Sequence, residues 1–389
     1  MDTHKKSNLT KIDVVESVSF LLIFFLIFGY IGNKMGPINM IKTILNTSYS
    51  LLMDICFYLM AICVITGGIG ALFMEFKVIK CLNSFLSLLM NPFYSLPGAS
   101  AWGVLTCYIS DNPAMLSLAE NEEYKSYFKK YQFPALTNLG TSFGMGLIVT
   151  ATIMSLPMKG AILAAIIGNL GAIIGSIVSV RLMLGFTKKY YGPDAYKNAA
   201  EEKSSFNNSF NNNCNKENIF SRFINSLIKG GASGVELGFQ IIPGVLLICS
   251  FVLLISNTAP AGGVYDGSAG QGVPILPYIG EKLSFIIQPL FGFKSPESIA
   301  VPITSLGSAG AAIGLIPDLM KKGLISAQDL AVFTSISMCW SGYLSTHIAM
   351  MSAIGESDLS GKAIISHTIG GLVAGLASHL IFKLIMFVI

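Results

Sequence analysis

Long apolar runs separated by short polar connections dominate the chain. The first, Val14–Gly32, follows a polar leader that carries lysines, and no small-residue cleavage site follows it. About 20 predominantly apolar residues are enough for a helix to cross a bilayer. The pattern therefore predicts a first transmembrane helix rather than a signal peptide. Six more runs predict further spans: Ser50–Leu72, Pro134–Leu156, Met158–Phe186, Val235–Asn257, Ala331–Ile354 and Ala363–Ile389.

Two other apolar stretches, Gly98–Leu118 and Glu297–Pro317, are interrupted near their middles. The first contains "SDNP", Ser110–Pro113, and the second contains "SLGSAGAAIG", Ser305–Gly314. Proline, glycine and small polar residues at such places end or break a helix. We expect each stretch to form a re-entrant helical hairpin, which enters the membrane and returns to the side from which it came.

Composition places the chain among membrane proteins and excludes several other classes. Of the 389 residues, 52% are hydrophobic and only 12% are charged, against about 25% charged in soluble domains. We therefore expect an all-α polytopic membrane protein. The net charge of +4 is dispersed, so no nucleic-acid partner is expected. The seven cysteines lack metal-binding spacing, and no nucleophile–base constellation points to an enzyme. We expect neither a bound metal nor a cofactor.

Charge along the chain predicts an orientation in the membrane, because cytoplasmic loops carry an excess of lysine and arginine. With a cytoplasmic amino terminus and both hairpins re-entrant, 17 of the 25 Lys and Arg residues lie inside. This topology has seven crossings. The segment 188–218 is rich in Asn, Ser and Lys and has too few aliphatic residues to bury a core. We interpret it as a polar cytoplasmic linker.

The chain on either side of the linker has a similar order of features. After an N-terminal segment over residues 1–33, we expect residues 34–187 and 219–389 to be two repeats, because positions from Pro92 through Gly175 match the second half at near-constant offsets of 197 to 200. Three correspondences carry the alignment: Pro92 with Pro289, Gly144 with Gly342, and "GAIIG" (Gly171–Gly175) with "GLVAG" (Gly371–Gly375). The predicted topology makes the two repeats inverted, an arrangement common in secondary transporters. The alternative is that membrane helices simply share small residues. The paired glycine motifs predict close helix approach.

The hairpin tips are the main candidates for chemistry. A carboxylate such as Asp111 within a membrane costs about 2.5–3.5 kcal/mol on insertion scales, so it needs a compensating interaction. Asp111 and Asn112 could contact a solute or a coupling cation, or could simply cap the returning helix. The second tip offers hydroxyl groups and exposed backbone instead.

Polar residues on the following spans extend the candidate set, although interhelical hydrogen bonding would explain them equally well. The candidate solute-binding residues are Ser110, Asp111, Asn112, Thr137, Asn138, Thr141, Ser305, Ser308, Ser337 and Ser341. The candidate ion-coupling residues are Asp54, Asp111 and Glu236, and Asp54 and Glu236 could instead lie at the membrane interface. His347 is interpreted as a hydrogen-bonded core histidine.

Three segments resemble a known family: "SAWGVLTCYISDNPAML" (Ser100–Leu116), "GASGVELGFQIIPGVLLICSFVLLI" (Gly231–Ile255) and "IIQPLFGFKSPESIAVPITSLGSAGAAIG" (Ile286–Gly314). They resemble the nucleoside-recognition (gate) domain family of bacterial integral membrane proteins, akin to the spore maturation proteins A and B. The resemblance to concentrative nucleoside transporters and to the membrane domain of ferrous iron transporters is more distant. It implies two gate units, with Asp111, Asn112 and Pro113 at one tip and Ser305–Gly310 at the other, on either side of a solute path.

These observations predict a secondary-active transporter of a small polar organic solute, nucleoside-like or other. Alternating access would move the re-entrant hairpins, with possible Na⁺ or H⁺ coupling. The alternative is a non-transporting membrane scaffold or signalling protein of the spore-maturation type. We expect a multi-pass protein of the bacterial plasma membrane. The expected partners are the lipid bilayer and the solute. A second copy of the chain is a further candidate, because the Gly-rich faces and the amphipathic helix before each hairpin favour a homodimer.

Overall fold

A computed structural model describes residues 11–112, 114–115, 122–192, 218–260 and 262–388. Every regular secondary-structure element in these ranges is helical. The predicted linker falls almost entirely outside the described residues, and so does Pro113.

The helices of the first half are α1 (Lys11–Met35), α2 (Pro37–Glu75), α3 (Val78–Leu89), α4 (Ser100–Ile109), α5 (Glu122–Ser126), α6 (Ala135–Thr141), α7 (Gly146–Ser155) and α8 (Ala161–Tyr191). Two π-helical segments interrupt this pattern. Leu51–Cys56 lies within α2, and Met90–Tyr94 follows α3.

The helices of the second half are α9 (Ile219–Ser256), α10 (Ile275–Lys282), α11 (Ser284–Phe291), α12 (Ala300–Ser305), α13 (Ala309–Lys321), α14 (Ala327–Cys339), α15 (Tyr343–Ala353) and α16 (Ser360–Val388). A π-helical segment, Val245–Cys249, lies within α9. Short 3₁₀ turns precede α12 and α16 at Pro296–Ile299 and Ser357–Leu359.

Six stretches of helix in the described residues are long and apolar enough to cross a membrane: Val14–Met35, Pro37–Glu75, Ala135–Ser155, Ala161–Tyr191, Ile219–Ser256 and Ser357–Val388. The predicted class, an all-α polytopic membrane protein, is confirmed. Helix α1 exposes apolar side chains over most of its length, including Phe20, Phe25 and Leu26. Such a surface suits lipid rather than water.

The predicted span Ala331–Ile354 is not one continuous helix. The structure has two helices there, α14 and α15, which are separated at Trp340–Gly342. Gly342 adopts a left-handed conformation with φ of +63°, and such a residue cannot continue a right-handed helix. Between α6 and α7 a similar break ends at Met145, which has φ of +55°. Hydropathy detects the length of such a segment but not a local change in backbone conformation.

Two antiparallel helix pairs form the framework of the fold. In the first pair, Gly67 of α2 lies against Gly230 of α9, and Cys63 lies against Gly234. In the second pair, Gly175 of α8 lies against the carbonyl of Gly370 in α16. A Cβ atom at Gly67 would lie 2.5 Å from the Gly230 carbonyl oxygen, so only glycine permits this approach. Small residues commonly bring membrane helices together in this way.

The two halves share details that hydropathy alone would not produce. Ser95 follows the helical segment containing Pro92, Gly292 follows the segment containing Pro289, and both are left-handed. A glutamine bonds each turn: Gln132 donates to the Ser95 carbonyl at 2.9 Å, and Gln328 donates to the Gly292 carbonyl at 2.7 Å. Helices α2 and α9, predicted to be equivalent, run antiparallel, as do α8 and α16. This geometry agrees with inverted repeats, whose bounds and membrane orientation stay predictions.

Candidate functional site

The first hairpin tip begins where α4 ends. The backbone amide of Asn112 donates to Oδ1 of the preceding residue, Asp111, at 2.7 Å. The backbone amide of Ala114 donates to the Asp111 carbonyl at 3.0 Å. The Asp111 carboxylate therefore partly stabilises its own turn. Asn112 is only 1% exposed.

The second tip joins α12 to α13. Ser308 is the N-cap of α13, and its Oγ accepts the Ala311 amide at 3.2 Å. Its carbonyl accepts the Ala312 amide at 3.0 Å. The first amides of a helix have no intrahelical acceptor, which leaves the Ala309 and Gly310 amides at the tip without one.

Among the described residues, each tip bonds to the break between α14 and α15. The Asn112 Nδ2 group donates to the Ser341 carbonyl at 2.7 Å, so the first hairpin reaches the break in the second half of the chain. The Gly342 amide donates to the Ser305 carbonyl at 3.0 Å. The break between α14 and α15 therefore connects the two hairpins.

The two tips line one cavity of about 180 Å³. Asp111 and Asn112 come from the first tip, and Gly307–Gly310 come from the second. The helix breaks and α15 add Met145, Ser341, Gly342 and Thr346, and α9 adds Leu237, Gln240 and Ile241. Among these described lining residues, Asp111 is the only one with an ionisable side chain. The Oδ1 atom of Asn112 is buried and has no hydrogen-bond partner among the described residues.

Four of the predicted solute-binding residues line this cavity: Asp111, Asn112, Ser308 and Ser341. Ser110 does not line it. Neither do Ser305 and Ser337, which are buried against each other with their Oγ atoms 3.2 Å apart. These two serines join α12 to α14, and their predicted contact with solute stays a prediction without support from this geometry.

The polar residues of α6 lie in a separate, fully buried network. Thr137 and Thr141 donate to backbone carbonyls of their own segment and contact the sulfur atoms of Met351 and Met350. Asn138 donates to Ser179 Oγ at 3.0 Å and to the Ala363 carbonyl at 3.1 Å. This arrangement favours the interhelical hydrogen bonding that the sequence left open.

Two histidines lie beside that network. His367 bonds Ser179 through Nδ1 at 2.9 Å and the Cys339 carbonyl through Nε2. His347 is fully buried with its ring centroid 4.5 Å from that of His367, and neither of its nitrogens has a partner among the described residues. The interpretation of His347 as a hydrogen-bonded histidine therefore stays a prediction. His367 is bonded to Ser179 of α8.

Neither of the other two candidate coupling acids reaches the cavity. Asp54 is exposed on α2 and accepts the Ser50 hydroxyl at 2.9 Å. Glu236 is exposed on α9, one turn before the lining residue Gln240. Of the three candidate acids, only Asp111 lines the cavity. The described residues contain no group of three or more His, Cys, Asp or Glu side chains that could hold a metal ion.

Sequence reasoning missed two polar lining residues, Gln240 and Thr346. Gln240 lies in the "GVELGFQIIPG" segment that carries the family resemblance, so the signal was present but unassigned. Thr346 gave no such signal. It faces the cavity because α15 starts at the left-handed Gly342, whose carbonyl accepts the Thr346 hydroxyl.

The fold is that of a known class of membrane transporter. It resembles structures of CNTnw, a concentrative nucleoside transporter. A CNTnw variant in an outward-facing state matches with a TM-score of 0.54 and 12% identity, over 96% of this chain and 87% of that one. An inward-facing, substrate-bound structure matches with a TM-score of 0.51 and 13% identity, over 83% and 74%. An intermediate-state variant matches at 0.52 and 14%, over 84% and 76%.

At these identities the likeness establishes a shared fold. No protein-family model matches the chain, and no curated protein sequence matches it. The finer resemblance to gate-domain and spore-maturation proteins therefore stays a prediction.

Proposed function

We propose that this protein is a secondary-active transporter of a small polar organic solute. The observation that carries the proposal is that two hairpin tips, one from each half of the chain, line the same cavity. Non-helical backbone at membrane depth is tolerated where it lines a cavity or is buried in protein. Solute and ion sites of many secondary transporters are built from such interrupted helices at the interface of inverted repeats.

In the proposed mechanism, the hairpins and their adjoining helix breaks move against the framework of α2, α8, α9 and α16. Gate units at 34–187 and 219–389 would alternate access to the cavity from the two sides. The solved structures of the CNTnw fold in outward-facing, intermediate and inward-facing states support a mechanism of this kind. We further propose a plasma-membrane location with the amino terminus and the linker in the cytoplasm.

Coupling to Na⁺ or H⁺ is part of the proposal. Of the three candidate acids, the position of Asp111 in the cavity makes it the one best placed to sense the solute and a coupling cation together. Asp54 and Glu236 lie elsewhere on exposed surfaces, which suits interfacial acids.

Uptake into proteoliposomes tests this function. Purified protein would be reconstituted, and accumulation of labelled nucleosides, amino acids and carboxylates measured with an imposed Na⁺ gradient, a pH gradient or neither. We expect accumulation of one solute class with one gradient and a marked reduction of it at low solute concentration in Asp111→Asn, while Asp54→Asn transports normally. The scaffold alternative predicts no uptake of any solute, and a cellular phenotype that Asp111→Asn leaves intact.

A further inference from the structure

The cavity has two electrically opposite sides, and from them we infer that the solute is a small zwitterion of the free amino-acid type. Such a molecule carries an ammonium group and a carboxylate group close together. This inference rests on the proposed transport function and names the solute class for the same cavity.

The acceptor side is formed by the first tip. Asp111 Oδ1 and Asn112 Oδ1 lie 3.2 Å and 1.7 Å from the position that a Cβ atom on Gly144 would occupy. The two oxygens are therefore at most 4.9 Å apart. Asn112 Oδ1 is buried without a partner among the described residues, and a buried acceptor left unbonded costs about 1–3 kcal/mol. An ammonium group has three donors and no acceptor, so it suits this acceptor-rich side of the cavity.

The donor side is formed by the second tip. Gly307–Gly310 line the cavity, and Ala309 and Gly310 begin the 13-residue helix α13. Ser308 Oγ already accepts the Ala311 amide, so the amides of Ala309 and Gly310 are those left for a ligand. Helix N-termini attract anions through such amides and the helix dipole. A carboxylate group suits this end.

The remaining lining residues narrow the solute further. None of the described lining residues is aromatic, and none is Lys, Arg or His. A nucleobase would therefore have no ring to stack on, and a dianionic solute would find no second positive group. The cavity of about 180 Å³ is smaller than the roughly 300–1,000 Å³ typical of pockets for drug-sized ligands. The composition of the lining and the size of the cavity both favour a compact zwitterion.

Ligand-dependent thermal stabilisation of the full-length protein in detergent tests this inference, because a ligand that binds only the folded state raises its stability. The probes are the twenty proteinogenic L-amino acids, ethanolamine, lactate and uridine, each tested singly. We expect at least one amino acid to stabilise the protein. Ethanolamine lacks the carboxylate and lactate lacks the amine, so each should bind at least about tenfold more weakly.

The variants locate the two ends of the solute. Asp111→Asn should weaken binding of the stabilising amino acid about 10- to 100-fold, since charged hydrogen bonds are worth about one to two decades in affinity. Asp54→Asn removes an exposed carboxylate outside the cavity and should bind normally. The unfolding temperature of each variant without ligand checks that it has folded, and Asp111→Glu should restore part of the affinity because it keeps the charge.

Three outcomes would overturn the zwitterion. The first is that uridine, but no amino acid, stabilises the protein and is taken up by proteoliposomes. The second is that lactate or ethanolamine binds as tightly as the amino acid. The third is that amino-acid binding is unchanged in Asp111→Asn. Loss of sodium dependence in that variant with intact amino-acid binding is one form of the third outcome. In each case the transport function survives. Absence of binding and uptake for every probe would instead contradict the transporter itself.

Discussion

The two hairpin tips occupy one cavity but present different chemistry to it. The first tip contributes Asp111, which carries a carboxylate, and Asn112, whose amide oxygen is buried beside it. The second offers backbone amides and the hydroxyl of Ser308 at the start of α13. The two tips therefore differ in chemistry, with acceptors on one side of the cavity and donors on the other. In the proposed mechanism, this difference in sequence between the tips orients the solute.

The largest effect is expected from filling the space beside the first tip with Gly144→Ala. The new Cβ would lie 1.7 Å from Asn112 Oδ1, and the side chain of Asn112 cannot move away without losing its bond to Ser341. We expect uptake to fall to background and the free energy of unfolding to fall by about 1–3 kcal/mol. Gly185→Ala, which meets no atom within 4 Å, is the matched control. Normal uptake by Gly144→Ala would show that the tip is not placed as described.

The next effect tests whether charge is confined to the first tip. Asp111→Asn keeps the shape of the side chain and removes its charge, so we expect the solute concentration for half-maximal uptake to rise about 10- to 100-fold. The measurement is initial uptake rate against solute concentration in proteoliposomes. An unchanged concentration dependence would place the important charge elsewhere.

A smaller effect is expected at the second tip from Ser308→Ala. Loss of the N-cap should lower the free energy of unfolding by about 1 kcal/mol, and the altered amide geometry should weaken solute binding severalfold. Ser326→Ala removes the N-cap of α14, which does not line the cavity. Both variants should unfold at lower temperature in a thermal scan, but only Ser308→Ala should bind solute more weakly. Equal solute binding by the two variants would show that the second tip does not contact the solute.

The smallest effect is expected from Ser305→Ala, just before the second tip. Its hydroxyl bonds Val301 and Ser337 and does not line the cavity. We expect a loss of about 1 kcal/mol in stability and solute uptake equal to that of the unchanged protein, measured in the same assays. A large loss of affinity for the solute would instead support the predicted contact of Ser305 and Ser337 with the solute.

The sequence pattern was sufficient to predict the membrane class, the breaks after α4 and α12, and close helix approach at "GAIIG" and "GLVAG". These features depend on local properties: run length, helix-breaking residues and small side chains. The same pattern failed at Trp340–Gly342, where a left-handed glycine divides an otherwise apolar segment into α14 and α15.

The sequence by itself determined which segments enter the membrane and where a helix must stop, because hydrophobic length and backbone breakers act within a few residues. Only the tertiary structure decided which polar residues share a cavity. Asp111 and Ser308 lie nearly 200 positions apart, and Thr137 and Asn138 resemble them in polarity yet are buried in a different network. The packing of α2 on α9 and of α8 on α16 decides which polar residues line the cavity and which are buried in the other network. The face of a helix that lines a cavity depends on the neighbouring helices as well as on its own residues.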